Sequence, residues 1–196
     1  MKKVIAVVLS LLCIIFVFAS CGGNGTNDVT EQSSTQPTGS SFPRGDEIFK
    51  DTESYDLDGN KVSDKIFKGK KLTMVNVWGT FCRPCIGEMP DLQKLSEEYA
   101  DKDFQIIGIV CDIDGKDDSE KIELAKEICK DTGVKYVSIV PSDSLDDALL
   151  DSVISVPATF FLDEDGKQLD RNFIGSRSYE GWQAIVDSIY AELDKE

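Results

Sequence analysis

Eight residues, Trp78-Gly-Thr-Phe-Cys82-Arg-Pro-Cys85, constrain this chain more than any other segment. They follow an apolar run, residues 72–77, that suits a strand buried on both faces. They precede residues 86–100, where Met89, Leu92, Leu95 and Tyr99 recur at helical spacing. Two thiols separated by two residues can close a small, reversible disulfide, and a thiolate at a helix N-terminus is favoured by the helix dipole. The local order is strand, redox-capable dithiol, helix.

The segments on either side extend that pattern. Residues 53–63 read as a hairpin turning on Asp58-Gly59-Asn60. Phe104–Val110 is a second buried strand. Asp117-Asp118-Ser119-Glu120 then supply capping and acidic residues to a helix carrying Ile122, Ala125, Ile128 and Cys129. Residues 136–140 are strand-like, and 142–151 predict a short helix with Leu145, Leu149 and Leu150 inward. Residues 159–162 and 167–174, joined by an Asp165-Gly166 turn, make a second hairpin, and Trp182, Ile185, Ile189 and Leu193 stripe a last helix. Strands alternating with helices before a closing hairpin and helix predict an α/β sandwich with a mixed sheet. The aspartates between 112 and 118 lack EF-hand spacing and read as a solvated helix start.

The compartment decides what a dithiol means. Lys2 and Lys3 precede an almost unbroken apolar stretch, residues 4–18, ending in Ala19-Ser20-Cys21-Gly22-Gly23, which describes an export signal. The stretch is shorter than the roughly 20 apolar residues of a spanning helix; a retained membrane anchor is the competing reading. Phe18-Ala19-Ser20-Cys21 resembles the bacterial lipobox, which makes Cys21 the lipidation site. Ordinary cleavage near Ala19, with Cys21 left as an odd thiol, is the alternative. Residues 24–41 are rich in Gly, Ser, Thr, Asn and Gln without an apolar period, as in a flexible tether. The expected organisation is a lipoprotein signal peptide over 1–20, a lipid-anchored linker over 21–41 and one domain over 42–196, outside the cytoplasm on a bacterial membrane.

Charge and residue usage exclude several chemistries. The formal charge is −15, and the first twenty residues hold two lysines and no acid, so their removal would take it to −17. Such a chain is not suited to nucleic acid or to an anionic lipid surface. It contains no histidine, which removes imidazole catalysis, imidazole metal ligands and covalent haem of the C-x-x-C-H kind. Of six cysteines, Cys13 lies in the signal and Cys21 in the lipobox, leaving Cys82, Cys85, Cys111 and Cys129. Cys111 ends a strand at the edge where the dithiol opens, and Cys129 lies on the apolar face of the next helix. A second disulfide, two buried free thiols and a redox relay are all open for that pair. A Cys₄ zinc site is disfavoured by the distance between Cys111 and Cys129 in sequence, so neither metal nor cofactor is expected.

The order of elements, W-x-x-x-C-x-x-C after the first core strand, Glu88-Met89-Pro90, and Val156-Pro157-Ala158-Thr159-Phe160 before the second hairpin resemble thioredoxin-like proteins. Within these, residues 42–196 look most like the TlpA/ResA family of membrane-tethered thiol–disulfide oxidoreductases. The resemblance implies a thioredoxin-like fold: a mixed central β-sheet flanked by helices, with an N-terminal β-hairpin and a strand–helix insertion before a cis-proline at Pro157. It implies that Cys82 is an exposed nucleophile aided by helix amides and Arg83, that Cys85 resolves, and that Glu88 serves proton transfers. A solvated helix glutamate is the plain alternative for Glu88. The Val156 backbone would take a substrate strand. Trp78 and Phe81 would shape the rim, with core packing as the alternative. The implied activity reduces disulfides of exported proteins with electrons from a membrane dithiol carrier, cytochrome c maturation being one such role. Two rivals stand beside it: a thiol peroxidase of peroxiredoxin type, and a non-catalytic lipoprotein stapled by its C-x-x-C.

Overall fold

Seven consecutive buried residues, Leu-Thr-Met-Val-Asn-Val-Trp, form β3 (Leu72–Trp78) and take the centre of the molecule. The computed structural model describes residues 45–195. The signal, lipidation and linker expectations for residues 1–41 lie outside the described residues. Ahead of β3, β1 (Glu53–Tyr55) and β2 (Lys61–Ser63) pair antiparallel as the expected hairpin, with Gly59 at φ +82° supplying the turn. After it come α1 (Arg83–Glu98), β4 (Phe104–Val110), α2 (Ser119–Thr132), β5 (Ser138–Ile139), α3 (Asp143–Ala148), β6 (Ala158–Leu162), β7 (Gln168–Ile174) and α4 (Tyr179–Leu193).

The main sheet has five strands in the order β5-β4-β3-β6-β7. β3 runs parallel to β4 and antiparallel to β6, so the sheet is mixed. A strand hydrogen-bonded on both sides and covered on both faces must be apolar at nearly every position, which accounts for β3. Its even-numbered residues Leu72 and Met74 join Ile106 and Phe161 beneath α1 and α4, where Leu92, Leu95, Trp182, Val186 and Ile189 close the layer. Its odd-numbered Val75 and Val77 join Ile107, Ile109, Phe160 and Leu162 on the other face, under Phe49, Phe67, Leu145 and Leu149. Each such side chain contributes on the order of 1.5–3 kcal/mol by leaving water.

Three local differences from the sequence reading have physical causes. α1 starts at Arg83, three residues before the periodic stretch, because Cys82 caps it and Pro84 occupies the first turn, where no N–H is needed. β5 is only two residues, pairing with β4 at Gly108 and Ile109, while its other side is engaged by an isolated bridge from Asp56 to Ile139. The helix expected over 142–151 stops at Leu149 (φ −144°, ψ −49°) and continues as a 3₁₀ turn, Leu150–Ser152. Leu145 and Leu149 are buried as expected, and Leu150 only partly.

The register gathers the chemistry at one end of the sheet. Val77 lies opposite Ala158, so the chain leaving β3 toward α1 and the chain arriving at β6 through Pro157 meet at the same edge. No described helix is long and apolar enough to cross a membrane.

Candidate active site

β3 delivers the backbone through Gly79, Thr80 and Phe81 to Cys82, the N-cap of α1. The Cys82 sulfur accepts a hydrogen bond from the Cys85 N–H at 3.2 Å, and the two cysteines are joined in a disulfide across a Cα–Cα distance of 5.3 Å. A helix N-terminus carries unpaired N–H groups and partial positive charge, so a thiolate released at Cys82 has donors aimed at it. Cys82 is 5% exposed and Cys85 1%. The expectation of an exposed Cys82 is thus corrected for the oxidised protein: the turn folds the disulfide against Met89, Val110, Ile113 and Val140.

Trp78 also departs from expectation. It is fully buried and cannot form a rim, because as an even-numbered β3 residue it points beneath α1 and α2, next to Cys82 and Cys85. Phe81 is the aromatic that stands at the surface, 66% exposed. The Val156–Pro157 bond is cis, Pro157 is buried at the start of β6, and Val156 is partly buried beside it.

Glu88 lies one helical turn after Cys85 and is 3% exposed, so the solvated alternative does not hold. Three donors converge on its carboxylate: Asn76 Nδ2 to Oε1 at 3.3 Å, and the Arg177 backbone N–H and Trp182 Nε1 to Oε2, each at 3.1 Å. Burial raises its pKa above the ordinary glutamate value, and the three hydrogen bonds pull the other way without cancelling it. Such a carboxyl can exchange a proton closer to neutral pH than an exposed glutamate does.

Sequence reasoning missed this shell. Asn76 sits inside a run read as wholly apolar, and its partner Thr159 is its register neighbour on β6, with Nδ2 to Oγ1 at 3.2 Å. An asparagine and a threonine in otherwise apolar core strands were the available signal. Also missed was a polar tether under the dithiol turn. Asp112, read as part of a solvated loop, accepts from the Thr80 N–H at 2.8 Å, the Thr80 hydroxyl at 2.6 Å and Lys121 Nζ at 2.8 Å. Burial works against its charge, but Lys121 and Thr80 outweigh that and hold the carboxyl below its ordinary value.

Cys111 and Cys129 are free thiols, so the possible second disulfide is not formed. Alternation along β4 sends Cys111 to the face covered by α3, and Cys129 on α2 packs on the opposite face. The sheet separates them. Burial raises the pKa of both thiols.

A disulfide capping a helix beside a cis-proline, on a mixed five-stranded sheet, defines a thioredoxin-like thiol–disulfide oxidoreductase. The family model described as Redoxin matches residues 37–173. The chain belongs to that family, and within it to the ResA-like thiol–disulfide oxidoreductases. Thiol-disulfide oxidoreductase ResA of Bacillus cereus is 31% identical over 137 residues, which span 68% of this chain and 72% of that protein. The thiol:disulfide interchange protein DsbE of Haemophilus influenzae is 28% identical over 134 residues, spanning 68% and 67%. The crystal structure of a thioredoxin-family thiol:disulfide interchange protein from Chlorobium tepidum TLS superposes with a TM-score of 0.59 at 24% identity, covering 75% of this chain and 94% of that one, and shows the shared fold.

Proposed function

We propose that this protein is a lipid-anchored, extracytoplasmic reductase of disulfides in exported proteins. The observation that carries the reading is the Cys82–Cys85 disulfide at the N-terminus of α1, with the buried Glu88 carboxyl one turn beyond it. Export is supported by the signal-like residues 1–20, anchoring by the lipobox-like Cys21, and reach from the membrane by the linker composition of 21–41.

In the reduced protein the Cys82 thiolate attacks a substrate sulfur, forming a mixed disulfide and expelling the other substrate sulfur as a thiolate. Cys85 then loses its proton and attacks the Cys82 sulfur. The Cys82–Cys85 disulfide forms, the second substrate thiolate leaves, and the substrate has gained two electrons and two protons, one from Cys85 and one from solvent, to which Cys82 had released its own. Glu88 accepts the Cys85 proton and returns it, a role no histidine can fill in this chain. The Val156 backbone next to Pro157 holds the substrate strand across the sulfurs. A dithiol carrier of the membrane, by the same exchange in reverse, returns two electrons to Cys82–Cys85.

A trap tests the sequence of steps. Cys85→Ser should accumulate mixed disulfides through Cys82, visible on non-reducing gels and identifiable by mass spectrometry, while the unmodified chain reduces insulin. If Cys82 of the variant alkylates normally yet captures no partner, the exchange mechanism fails. Peroxide consumption without insulin reduction would favour the peroxidase reading instead.

A further inference from the structure

A groove of about 500 Å³ opens beside the dithiol, between Phe81, which precedes Cys82, and Val156, which precedes Pro157. Leu150, Val153 and Ile154 supply most of its remaining wall. Ile154 is 89% exposed, and with Phe81, the residue before Cys82, it offers apolar surface to solvent in this groove. Exposed large apolar side chains gathered in one concave place mark a contact surface. At Cys111 and Asp146 the groove continues into a second depression of about 400 Å³, which Asp112, Asp114 and Asp143 line. Among the described residues, no lysine or arginine lines either part. Asp112 is paired with Lys121, whereas Asp114 and Asp143 are exposed in the second depression.

The trough therefore joins an apolar part, between Phe81 and Val156, to an anionic part lined by Asp112, Asp114 and Asp143, on a chain of formal charge −15. We infer that it seats an extended, cationic polypeptide segment of the substrate. An apolar side chain next to the reacting cysteine lies among Phe81, Leu150 and Ile154, and lysine or arginine side chains further along meet Asp114 and Asp143. An acidic segment is repelled at the same place, and an anionic membrane surface is too. Complementary charge of this kind acts on encounter rate and on partner choice, and salt weakens it. The inference rests on the oxidoreductase reading and adds the class of substrate to it.

Two disulfide-bridged peptides of equal length test it, alike in an apolar residue beside one cysteine, one carrying lysines four to six positions away and the other glutamates. With the full chain, the lysine peptide should be reduced with a kcat/KM about tenfold higher at low ionic strength, and the gap should close in molar salt. The double variant Asp114→Lys/Asp143→Lys should reverse the order of the two peptides, and Ile154→Ser should lower kcat/KM for both. Analogues with serine for each cysteine, measured by fluorescence anisotropy, should show the same preference without any turnover. Equal rates and affinities for the two peptides, or a preference that survives charge reversal, overturn the docking inference while leaving the oxidoreductase reading intact. Preferential binding of the lysine analogue with no reduction of either peptide does the opposite.

Discussion

Glu88 shows how much one residue's surroundings change its chemistry. Exposed on a helix, a glutamate would be charged through the neutral range and of little use to a thiol. Held by Asn76, Trp182 and the Arg177 backbone in the core, it keeps its proton to higher pH. The folded chain then binds a proton that the unfolded chain has released. Stability accordingly falls as pH rises from the ordinary glutamate range toward the raised value, and levels off above it. Glu88→Gln should flatten that slope, measured as urea unfolding midpoints between pH 4 and 8. It should also slow the Cys85-dependent step of insulin reduction by about 100-fold, the usual worth of a positioned acid–base group. An unchanged pH–stability curve together with an unchanged rate would remove Glu88 from the site. The position of Glu88 beside the dithiol was legible from its spacing after Cys85, but its burial was not: the donors come from β3, the segment before α4, and α4 itself, and only the folded sheet brings them together. Trp78 teaches the converse. The family resemblance implied a rim, with core packing as the alternative, and strand alternation, readable from Leu72 and Met74 onward, sends it into the core.

Among the elements, the turn between β3 and α1 depends on a contact from another part of the chain. Thr80 is fixed by Asp112, at the end of β4, and Asp112 is fixed by Lys121, in the first turn of α2. The turn that presents Cys82 is thus tied to two neighbouring elements by polar bonds. Asp112→Asn should cost about 1–3 kcal/mol at neutral pH, the range for a partly buried donor left poorly paired. The carboxyl's pKa is depressed, so its stabilisation is present above the ordinary aspartate range and is lost as pH falls through the lowered value. The gap between the two proteins in chemical denaturation should therefore be wide at pH 7 and narrow toward pH 3; a gap of constant width would mean that charge plays no part. The type and order of β1–β7 and α1–α4 were legible, the helices from their apolar period and β3 and β4 from nearly unbroken apolar runs. The ends were less so. Leu145, Leu149 and Leu150 stand at helical spacing within 142–151, but the break at Leu149, where Leu145 and Leu149 pack over Val75, Val77 and Ile109, is recorded by no local pattern.

At the scale of the whole molecule, the fold leaves the Cys82 and Cys85 sulfurs at one end of the sheet, and the proposed exchange makes one demand of its surroundings: a compartment in which the Cys82–Cys85 disulfide is repeatedly made and reduced. That demand is met if the chain is exported and held at a membrane near a dithiol carrier, as we propose, with Cys21 as the lipidated residue. One acyl chain binds a bilayer only marginally, whereas two or more hold a protein stably. Cys21→Ser should therefore move the protein from the membrane pellet to the soluble extracytoplasmic fraction and abolish incorporation of radiolabelled palmitate. Insulin reduction driven by dithiothreitol should persist, because Cys82, Cys85 and Glu88 belong to the sheet edge and not to the anchor. Reduction that relies on the membrane's own electron supply should fall with the loss of proximity. A Cys21→Ser protein that stays in the pellet without lipid would show instead that residues 4–18 are retained as the anchor, and the lipidation reading would go while the redox site stood.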